Sequence, residues 1–265
     1  MLFCSIIWES NPMNEPIIQV ENLTAGYEDT VILERVSFEV YRGEIFVILG
    51  GSGCGKSTLL RHLIGLQTPM AGNIRILGQD ITAAAGSQKE QILSTFGVSF
   101  QGGALLGSMT AIENVMLPLS EHTNLPTGAI EWIAHQKLEL VGLGGYADYK
   151  PAQLSGGMQK RAALARAMAL DPQILFLDEP SAGLDPITAA QLDELIIQLS
   201  QSMGITFVIV THELQSIFAL ASRAIMLEKN AKGIIAQGHP NDLKNDKTNP
   251  AVWRFFNRMP PSLPV

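Results

Sequence analysis

Residues 50–57 combine glycines, a lysine and a serine in the order that a phosphate-binding loop requires. The run reads Gly-Gly-Ser-Gly-Cys-Gly-Lys-Ser and follows an apolar stretch at 45–49. Glycines at this spacing let backbone N–H groups turn towards phosphate oxygens, and a helix that begins at Lys56 adds the positive end of its dipole. Lys56 is expected to reach the β- and γ-phosphates, and the Ser57 hydroxyl to bind Mg²⁺. The predicted nucleotide contacts in this loop are Gly50, Gly51, Ser52, Gly53, Cys54, Gly55, Lys56, Ser57 and Thr58.

Two adjacent carboxylates, Asp178 and Glu179, end the apolar run Ile174–Leu177. Alone, an acidic pair after a strand is typical of a solvated strand end. Downstream of a phosphate-binding loop, the pair matches what nucleotide hydrolysis needs. Asp178 is expected to hold Mg²⁺, directly or through water, and Glu179 to orient or deprotonate the attacking water.

A second glycine pair, Gly156 and Gly157, opens an Ala-rich helix directly after Ser155. A serine at the N-cap accepts a hydrogen bond from the first turn, and the free N–H groups there attract phosphate. The plainer alternative is an ordinary helix cap. Because one nucleotide does not need two such helix ends from one chain, the favoured interpretation is that two chains share each nucleotide.

The elements that must position these residues follow from the hydrophobic pattern. Strands are predicted at 17–24, 35–41, 44–49, 73–77, 174–177 and 205–210. Helices are predicted at 56–66, 114–119 behind a capping box at Thr110 and Glu113, 130–141, 156–170 and 185–201. Strands of Ile, Val, Leu and Phe without polar breaks, alternating with helices, predict an α/β fold with a mostly parallel sheet covered on both faces. The helical middle of the chain is expected to be an inserted subdomain.

Composition restricts the class of protein further. The chain has 265 residues, with 18 Lys+Arg against 25 Asp+Glu and a formal net charge of −7, which argues against nucleic-acid binding through a broad basic surface. Two cysteines, Cys4 and Cys54, provide no disulfide framework and favour a reduced, cytosolic protein. The apolar run 2–8 is too short for a signal peptide or a membrane span, and residues 1–12 are interpreted as a start-site extension.

The order of these motifs resembles that of the ATPase subunits of ABC transporters, over roughly residues 17–238. The motifs that carry the resemblance are the loop 50–57, the signature Leu154–Met158, the pair Asp178-Glu179, the segment Ser181–Asp185 and His212. It implies a P-loop NTPase of the ABC ATPase type, with an antiparallel β subdomain and the α-helical subdomain at about 102–165. The implied domains are an N-terminal extension at 1–16, an ABC ATPase domain at 17–240 and a C-terminal extension at 241–265.

The same resemblance implies how the parts work together. In that family two subunits close head to tail, and the signature of one caps ATP held by the other. The expected assembly is therefore a homodimer with ATP and Mg²⁺, in which Ser155, Gly156 and Gly157 contact nucleotide in trans. Asp185 is expected to link the two sites. The implied catalytic residues are Glu179, the switch histidine His212, Gln101 and Lys56, and the implied metal ligands are Ser57, Gln101 and Asp178.

Two of these roles rest on single residues. Tyr27 matches the aromatic residue that stacks on adenine, with a half-buried strand-end tyrosine as the alternative. Gln101, predicted to follow a strand at 97–100, matches the glutamine that contacts Mg²⁺ and the attacking water while its loop meets the membrane subunit. Residues 102–109 are apolar for a loop, as expected of a groove that receives a short helix from a partner.

The sequence departs from the family pattern at two positions. Met158 stands where many members carry Gln, which puts the ribose contact of that Gln in question and makes Gln159 the candidate substitute. Cys54 replaces a smaller residue of the loop. Because its thiol lies near a helix N-terminus and Lys56, we expect a lowered thiol pKa, with alkylation that blocks hydrolysis and is prevented by ATP.

A longer stretch narrows the kind of transporter. Residues 100–122, with the ending Pro118-Leu119 and Glu121-His122, are similar to the corresponding stretch in ATPases of Mla-type, MCE-associated phospholipid transport systems. The similarity implies integral membrane permease subunits, an MCE-domain or other substrate-binding component, no nucleic acid, and a peripheral position on the cytoplasmic face of the inner membrane. An importer ATPase for amino acids or osmolytes and a non-transport ABC protein stay open as alternatives.

The C-terminal run 249–257 places Val252, Phe255 and Phe256 at helical spacing. One interpretation is a helix packed on its own domain. The other, implied by the C-terminal extension of Mla-type ATPases, is a segment that contacts the partner subunit.

Overall fold

The structure is a computed structural model that describes residues 15–27 and 30–259. The predicted start-site extension at 1–12 and Cys4 lie outside those residues. The strands are β1 (Pro16–Tyr27), β2 (Thr30–Tyr41), β3 (Ile45–Gly50), β4 (Ala71–Ile76), β5 (Gln79–Asp80), β6 (Phe96–Ser99), β7 (Ile174–Asp178), β8 (Thr206–Val210), β9 (Arg223–Glu228) and β10 (Gly233–Gly238). The α-helices are α1 (Lys56–Leu63), α2 (Gly86–Leu93), α3 (Ala111–His122), α4 (Thr127–Leu140), α5 (Gly156–Ala167), α6 (Pro186–Met203), α7 (Leu214–Leu220), α8 (Pro240–Asn245) and α9 (Pro250–Phe256).

A six-stranded sheet in the order β10-β9-β3-β8-β7-β6 forms the centre of the fold. The strands from β9 to β6 pair in parallel, and β10 pairs antiparallel with β9 at one edge. Every residue of β3 and β8 is buried. Burial on both faces explains why these strands read as unbroken apolar runs, and the predicted mostly parallel sheet is confirmed.

A second, antiparallel sheet has the order β2-β1-β4-β5 and supplies the expected antiparallel β unit. Its strand β2 begins at Thr30, earlier than the predicted residue 35. The register between β1 and β2 shifts between Leu23 and Ala25 of β1, opposite Arg35 of β2. Arg35 adopts a left-handed φ of 50°. A bulge of this kind breaks the in-and-out alternation, so the pattern showed only the second half of the strand.

The core has two parts because side chains of the central sheet alternate between its faces. Ile45, Val47 and Leu49 of β3 pack against the helices α3 to α7. Phe46 and Ile48 face α1 and the antiparallel sheet, where the rings of Phe46 and Phe38 stack with centroids 5.5 Å apart. Each large side chain buried in this way contributes roughly 1.5–3 kcal/mol, and together they fix α1 between the two sheets.

The helical middle of the chain is confirmed as a packed group of α3, α4 and α5. Its first helix begins at the predicted capping box: Thr110 N–H donates to Glu113 Oε2 at 2.7 Å, and Glu113 N–H donates to Thr110 Oγ1 at 3.3 Å. The buried Lys137 of α4 forms an ion pair with Asp171, just before β7. This pair ties the helical group to the sheet.

The C-terminal helices α8 and α9 pack on α7 of the same chain. Val252 and Phe256 are 0% and 3% exposed, and the rings of Phe256 and Phe218 lie 5.7 Å apart. The structure therefore agrees with the interpretation of this segment as a helix packed on its own domain. Among the described residues, no helix combines the length and apolar character needed to cross a membrane.

Candidate active site

The sheet order brings the predicted catalytic segments to one edge. Because β3, β8, β7 and β6 are parallel neighbours, their carboxyl ends lie side by side. From these ends follow, in that order, the phosphate-binding loop, His212, Glu179 and Gln101. A crevice at the carboxyl ends of parallel strands is where open α/β sheets bind ligands.

The loop between β3 and α1 is shaped by its glycines and closed by Lys56. A Cβ at Gly50 would lie 2.4 Å from the Leu227 carbonyl oxygen, and Gly55, the N-cap of α1, has a φ of 105°. Both positions therefore need glycine. Lys56 Nζ donates to the carbonyl oxygens of Gly50 at 2.9 Å and Gly51 at 3.1 Å, which places the ammonium above the loop. The loop residues Gly51, Ser52 and Gly53, and Ser57 after it, are exposed.

Tyr27 lies beside the first turns of α1. Its hydroxyl lies 3.2 Å from Thr58 Oγ1 and accepts a hydrogen bond from Arg61 Nη1 at 2.8 Å. The tyrosine is 39% exposed, so its ring is held at one end and open to a ligand elsewhere. Thr58 is buried, and its hydroxyl is the one that lies against Tyr27, so the predicted contact of Thr58 with phosphate would have to come from its backbone N–H. Stacking of Tyr27 on adenine stays a prediction.

Cys54 contradicts the expectation of a reactive thiol. The residue is 2% exposed and packs under the loop, among the side chains between the two sheets. Burial raises the pKa of the Cys54 thiol, and the opposing effect of the Lys56 charge is smaller. The expectation of a lowered pKa was wrong because it counted the nearby charge and left out desolvation, which favours the neutral thiol.

Glu179 is held in an unusual conformation at the end of β7. Its φ of 48° lies in the left-handed region, and the residue is only 8% exposed. Left-handed backbone at a non-glycine residue is strained and collects at functional sites. Glu179 Oε1 accepts a hydrogen bond from His212 Nδ1 at 2.7 Å, and the buried Oε2 has no hydrogen-bond partner. The structure thus brings the predicted base and the predicted switch histidine together.

The neighbouring Asp178 supplies the second carboxylate. Burial makes the largest contribution to the raised pKa of the Asp178 carboxyl, and the negative charge of Glu179 raises it further. Two adjacent, poorly solvated carboxylates would be stabilised by a divalent cation. Together with the exposed Ser57 hydroxyl, these residues therefore fit the predicted Mg²⁺ site.

Gln101 is exposed at the sheet edge, and its loop is held by side chains that the sequence analysis did not single out. Lys160 Nζ of α5 donates to the Gln101 carbonyl oxygen. Arg166 of the same helix donates to the carbonyl oxygens of Gly103 at 2.8 Å and Ala104 at 2.7 Å. The buried Asn114 accepts from Leu106 N–H at 2.8 Å. A lysine and an arginine on α5 and an asparagine on α3 carry no signal of such contacts in the sequence.

The signature lies at the start of α5 as predicted. Ser155 Oγ accepts from Met158 N–H at 3.3 Å, which leaves the hydroxyl proton free to donate. Gln159 Nε2 donates to the carbonyl oxygens of Pro151 at 2.9 Å and Leu154 at 3.1 Å, so its amide stabilises the preceding turn. This engagement disfavours Gln159 as a substitute for the missing ribose contact.

Asp185 caps α6, as its position before Pro186 predicted. Its Oδ1 accepts from Ile187 N–H and Thr188 N–H, both at 3.1 Å. The Thr188 hydroxyl also donates to the Asp185 carboxylate, and this hydrogen bond lowers the pKa of the exposed carboxyl the most. The two backbone hydrogen bonds lower it further. Its expected contact across a dimer stays a prediction.

Comparison with known proteins decides the family. The family model described as ABC transporter matches residues 33–182, which include the phosphate-binding loop, the signature and Glu179. The chain belongs to the ABC transporter family. It carries the ATPase fold of that family, and ATP is its nucleotide.

Relatives of this ABC ATPase carry two kinds of name. It is 40% identical to the intermembrane phospholipid transport system ATP-binding protein MlaF of Escherichia coli (strain K12), over 91% of this chain and 88% of that protein. It is 41% identical to the probable ribonucleotide transport ATP-binding protein mkl of Mycobacterium leprae, over 91% of this chain and 68% of that protein. The chain thus spans about two thirds of the mycobacterial relative.

Solved structures of ABC ATPases share the fold. The ABC ATPase cbiO1 of Clostridium perfringens, part of the transporter complex cbiONQ, superposes with a TM-score of 0.81 at 28% identity, covering 88% of this chain and 92% of that one. The dimeric cassette MJ0796, bound to ADP and Pi, gives a TM-score of 0.76 at 30% identity, covering 84% and 98%. The fold of this ABC ATPase is therefore that of an ATP-hydrolysing transporter subunit whose relatives dimerise.

Proposed function

We propose that this ABC ATPase powers a phospholipid transport system through a membrane permease. The observation that carries the proposal is a groove of about 480 Å³ between α2, β6, α3 and α5. Four of its lining residues belong to the stretch that resembles Mla-type ATPases: Leu117, Pro118, Glu121 and His122. The segment with the subfamily resemblance is therefore also the segment that shapes a surface for a partner.

The groove has the chemistry of a docking site for a short amphipathic helix. Its base is apolar, with Phe96, Val98 and Leu170, and Glu90 and Glu121 are exposed at its sides. Such a surface accepts the apolar face of a helix. The apolar loop 102–109, expected to form the groove, lies beside it instead, with Leu106 exposed.

The MlaF relatives support the phospholipid assignment more strongly than the mkl relatives support ribonucleotides. This chain covers 88% of the Escherichia coli MlaF and 68% of the Mycobacterium leprae mkl. The first comparison therefore leaves little of the relative unmatched. We extend the proposal to an MCE-domain component and to a peripheral position on the cytoplasmic face of the inner membrane.

The proposed chemistry is ATP hydrolysis at a site shared by two chains. Ser57, Asp178 and Gln101 would hold Mg²⁺, which would supply positive charge that offsets the charge of the nucleotide phosphates. Glu179, held by His212, orients and deprotonates the attacking water. Ser155, Gly156 and Gly157 of the partner close the site.

The substitution Glu179→Gln tests this assignment. It removes the base but keeps the size of the side chain, so ATP binding is retained while hydrolysis falls at least about 100-fold. The trapped nucleotide is expected to convert the protein to a stable dimer in size-exclusion chromatography with ATP and Mg²⁺. An exposed control, Glu131→Gln on α4, leaves the rate unchanged. A monomeric variant that hydrolyses ATP normally would refute the proposed site.

The cargo needs a separate experiment. The chain is purified together with its native membrane partners, and bound lipids are identified by mass spectrometry. Phospholipids retained in proportion to the complex support the proposal. Stimulation of the ATPase by ribonucleosides or amino acids instead, with no retained phospholipid, contradicts it and favours an importer.

A further inference from the structure

Lys160 lies one turn into α5, close behind the signature, and reaches the catalytic edge of the sheet. Its Nζ donates to the backbone carbonyl oxygen of Gln101 and approaches that of Glu179 at 3.5 Å. One side chain therefore touches the backbone of two residues to which we assign roles in hydrolysis.

The Lys160 side chain is half-buried against these carbonyl oxygens. Burial lowers the pKa of its ammonium, and the charges of Asp178 and Glu179 offset this only in part. Carbonyl oxygens that accept from an ammonium form charge-assisted hydrogen bonds, which are stronger than neutral ones. A methionine of similar length would keep the packing and lose both contacts.

The three connected segments have different tasks. The start of α5 presents Ser155 to the nucleotide of the partner, whereas Gln101 and Glu179 act on the nucleotide of their own chain. Glu179 also has a strained backbone, with a φ of 48°, that its surroundings must maintain. A rigid link between α5 and these two residues therefore connects one nucleotide site of a dimer to the other.

We propose that Lys160 is a positioning residue, which fixes Gln101 and Glu179 relative to the signature helix α5. Closure at one ATP site of a dimer then also aligns the catalytic residues of the other site. The inference rests on the proposed roles of Gln101 and Glu179. It assigns Lys160 no contact with nucleotide, so its loss is expected to affect turnover and not ATP affinity.

The test compares Lys160→Met with Lys160→Arg in the full chain. Lys160→Met is expected to lower kcat about 10-fold and to leave KM for ATP within about twofold of wild type. The substitution disturbs the alignment of Gln101 and Glu179 for hydrolysis and removes no contact with ATP. Lys160→Arg keeps a charged donor and is expected to recover at least about half of the wild-type kcat. Lys247→Met, which removes an exposed lysine before α9, serves as the matched control with unchanged kcat.

The split between kcat and KM separates positioning from a general structural effect, because a loosened fold would weaken ATP binding as well as turnover. If Lys160→Met unfolds, Lys160→Gln, which keeps an uncharged donor, replaces it with the same expected fall in kcat. The proposal is overturned if the folded variant without the charge keeps wild-type kcat, or if Lys160→Arg fails to recover at least about half of it. Normal hydrolysis by Glu179→Gln would instead overturn the assignment of the site itself.

Discussion

At the scale of single residues, buried carboxylates distinguish the site from the rest of the core. Glu179 has His212 as its partner and is assigned to catalysis. Asp193 of α6 is 5% exposed, and its Oδ1 has no hydrogen-bond partner. It lines a cavity of about 280 Å³ between α6 and α7, together with Glu194 and Glu213. No basic residue is among the described residues that line this cavity.

The surroundings of Asp193 raise the pKa of its carboxyl to about 6, because burial disfavours the charged form and the hydrogen bond from Ser216 compensates only in part. The folded protein therefore binds this proton more tightly than the unfolded chain, whose carboxyl has a pKa near 3.8. The free energy of unfolding that this proton contributes is present below about pH 4 and is lost as the pH rises through about 6.

Asp193→Asn is therefore expected to stabilise the protein at pH 8 and to have only about half that effect at pH 5, which lies between the two pKa values. The amide removes the buried charge and still accepts from Ser216, so the gain at pH 8 is about 3 kcal/mol. Urea unfolding at both pH values measures it. Asp148→Asn, at an exposed position, is the control. An equal change at pH 5 and pH 8 would show that the charge of Asp193 is not the cause.

At the scale of elements, packing at the C-terminus decides a question that the sequence left open. Phe256 on α9 is 3% exposed and contacts Phe218 of α7, and Val252 one turn earlier is fully buried. Lys244 of α8 lies over the Phe218 ring at 5.3 Å. These contacts make α9 part of the core of its own chain.

Phe256→Ala is expected to lower the free energy of unfolding by about 3 kcal/mol, because a large side chain is removed from a closed core. Phe255→Ala, at the partly buried neighbour, is expected to cost less than half as much. Urea unfolding compares the two. In the Glu179→Gln background, ATP-dependent dimerisation is expected to persist in Phe256→Ala. Loss of the dimer with unchanged monomer stability would instead favour the interpretation in which α9 contacts the partner.

At the scale of the whole molecule, the two helix starts that are predicted to bind phosphate belong to different layers. Helix α1, with the phosphate-binding loop, packs against the strands β1, β3, β7 and β8. Helix α5, with the signature, packs against α3, α4, α6 and β6. Ser155 and Gly156 are exposed at the start of α5. This separation suits a signature that acts on the nucleotide of a second chain.

A mixing experiment tests the shared site. The variants Lys56→Ala and Ser155→Arg are each expected to hydrolyse ATP poorly as homodimers. A mixed dimer contains one site with both defects and one intact site, so an equal mixture is expected to regain up to about a quarter of the wild-type rate. Malachite-green phosphate release measures it. A mixture no more active than its two components would argue against sites built from two chains.

Local sequence determined much of this protein. The glycines and lysine of the loop, the caps at Thr110, Ser155 and Asp185, and the unbroken apolar strands were all predicted and found, because turns, caps and strand burial depend on neighbouring residues. The ends of elements were less well determined: α1 stops at Leu63 and not at residue 66, since Gly65 turns left-handed with a φ of 69°.

Only the tertiary structure decided how the site is assembled. Pairing inserts β8 between β3 and β7, and so places His212 against Glu179. Burial between two sheets raised the pKa of Cys54 where its neighbours in sequence suggested the opposite. Folding of α5 over the sheet edge brought Lys160 to Gln101. Strand order, desolvation and the reach of a side chain depend on residues far apart in the chain, and no local pattern contains them.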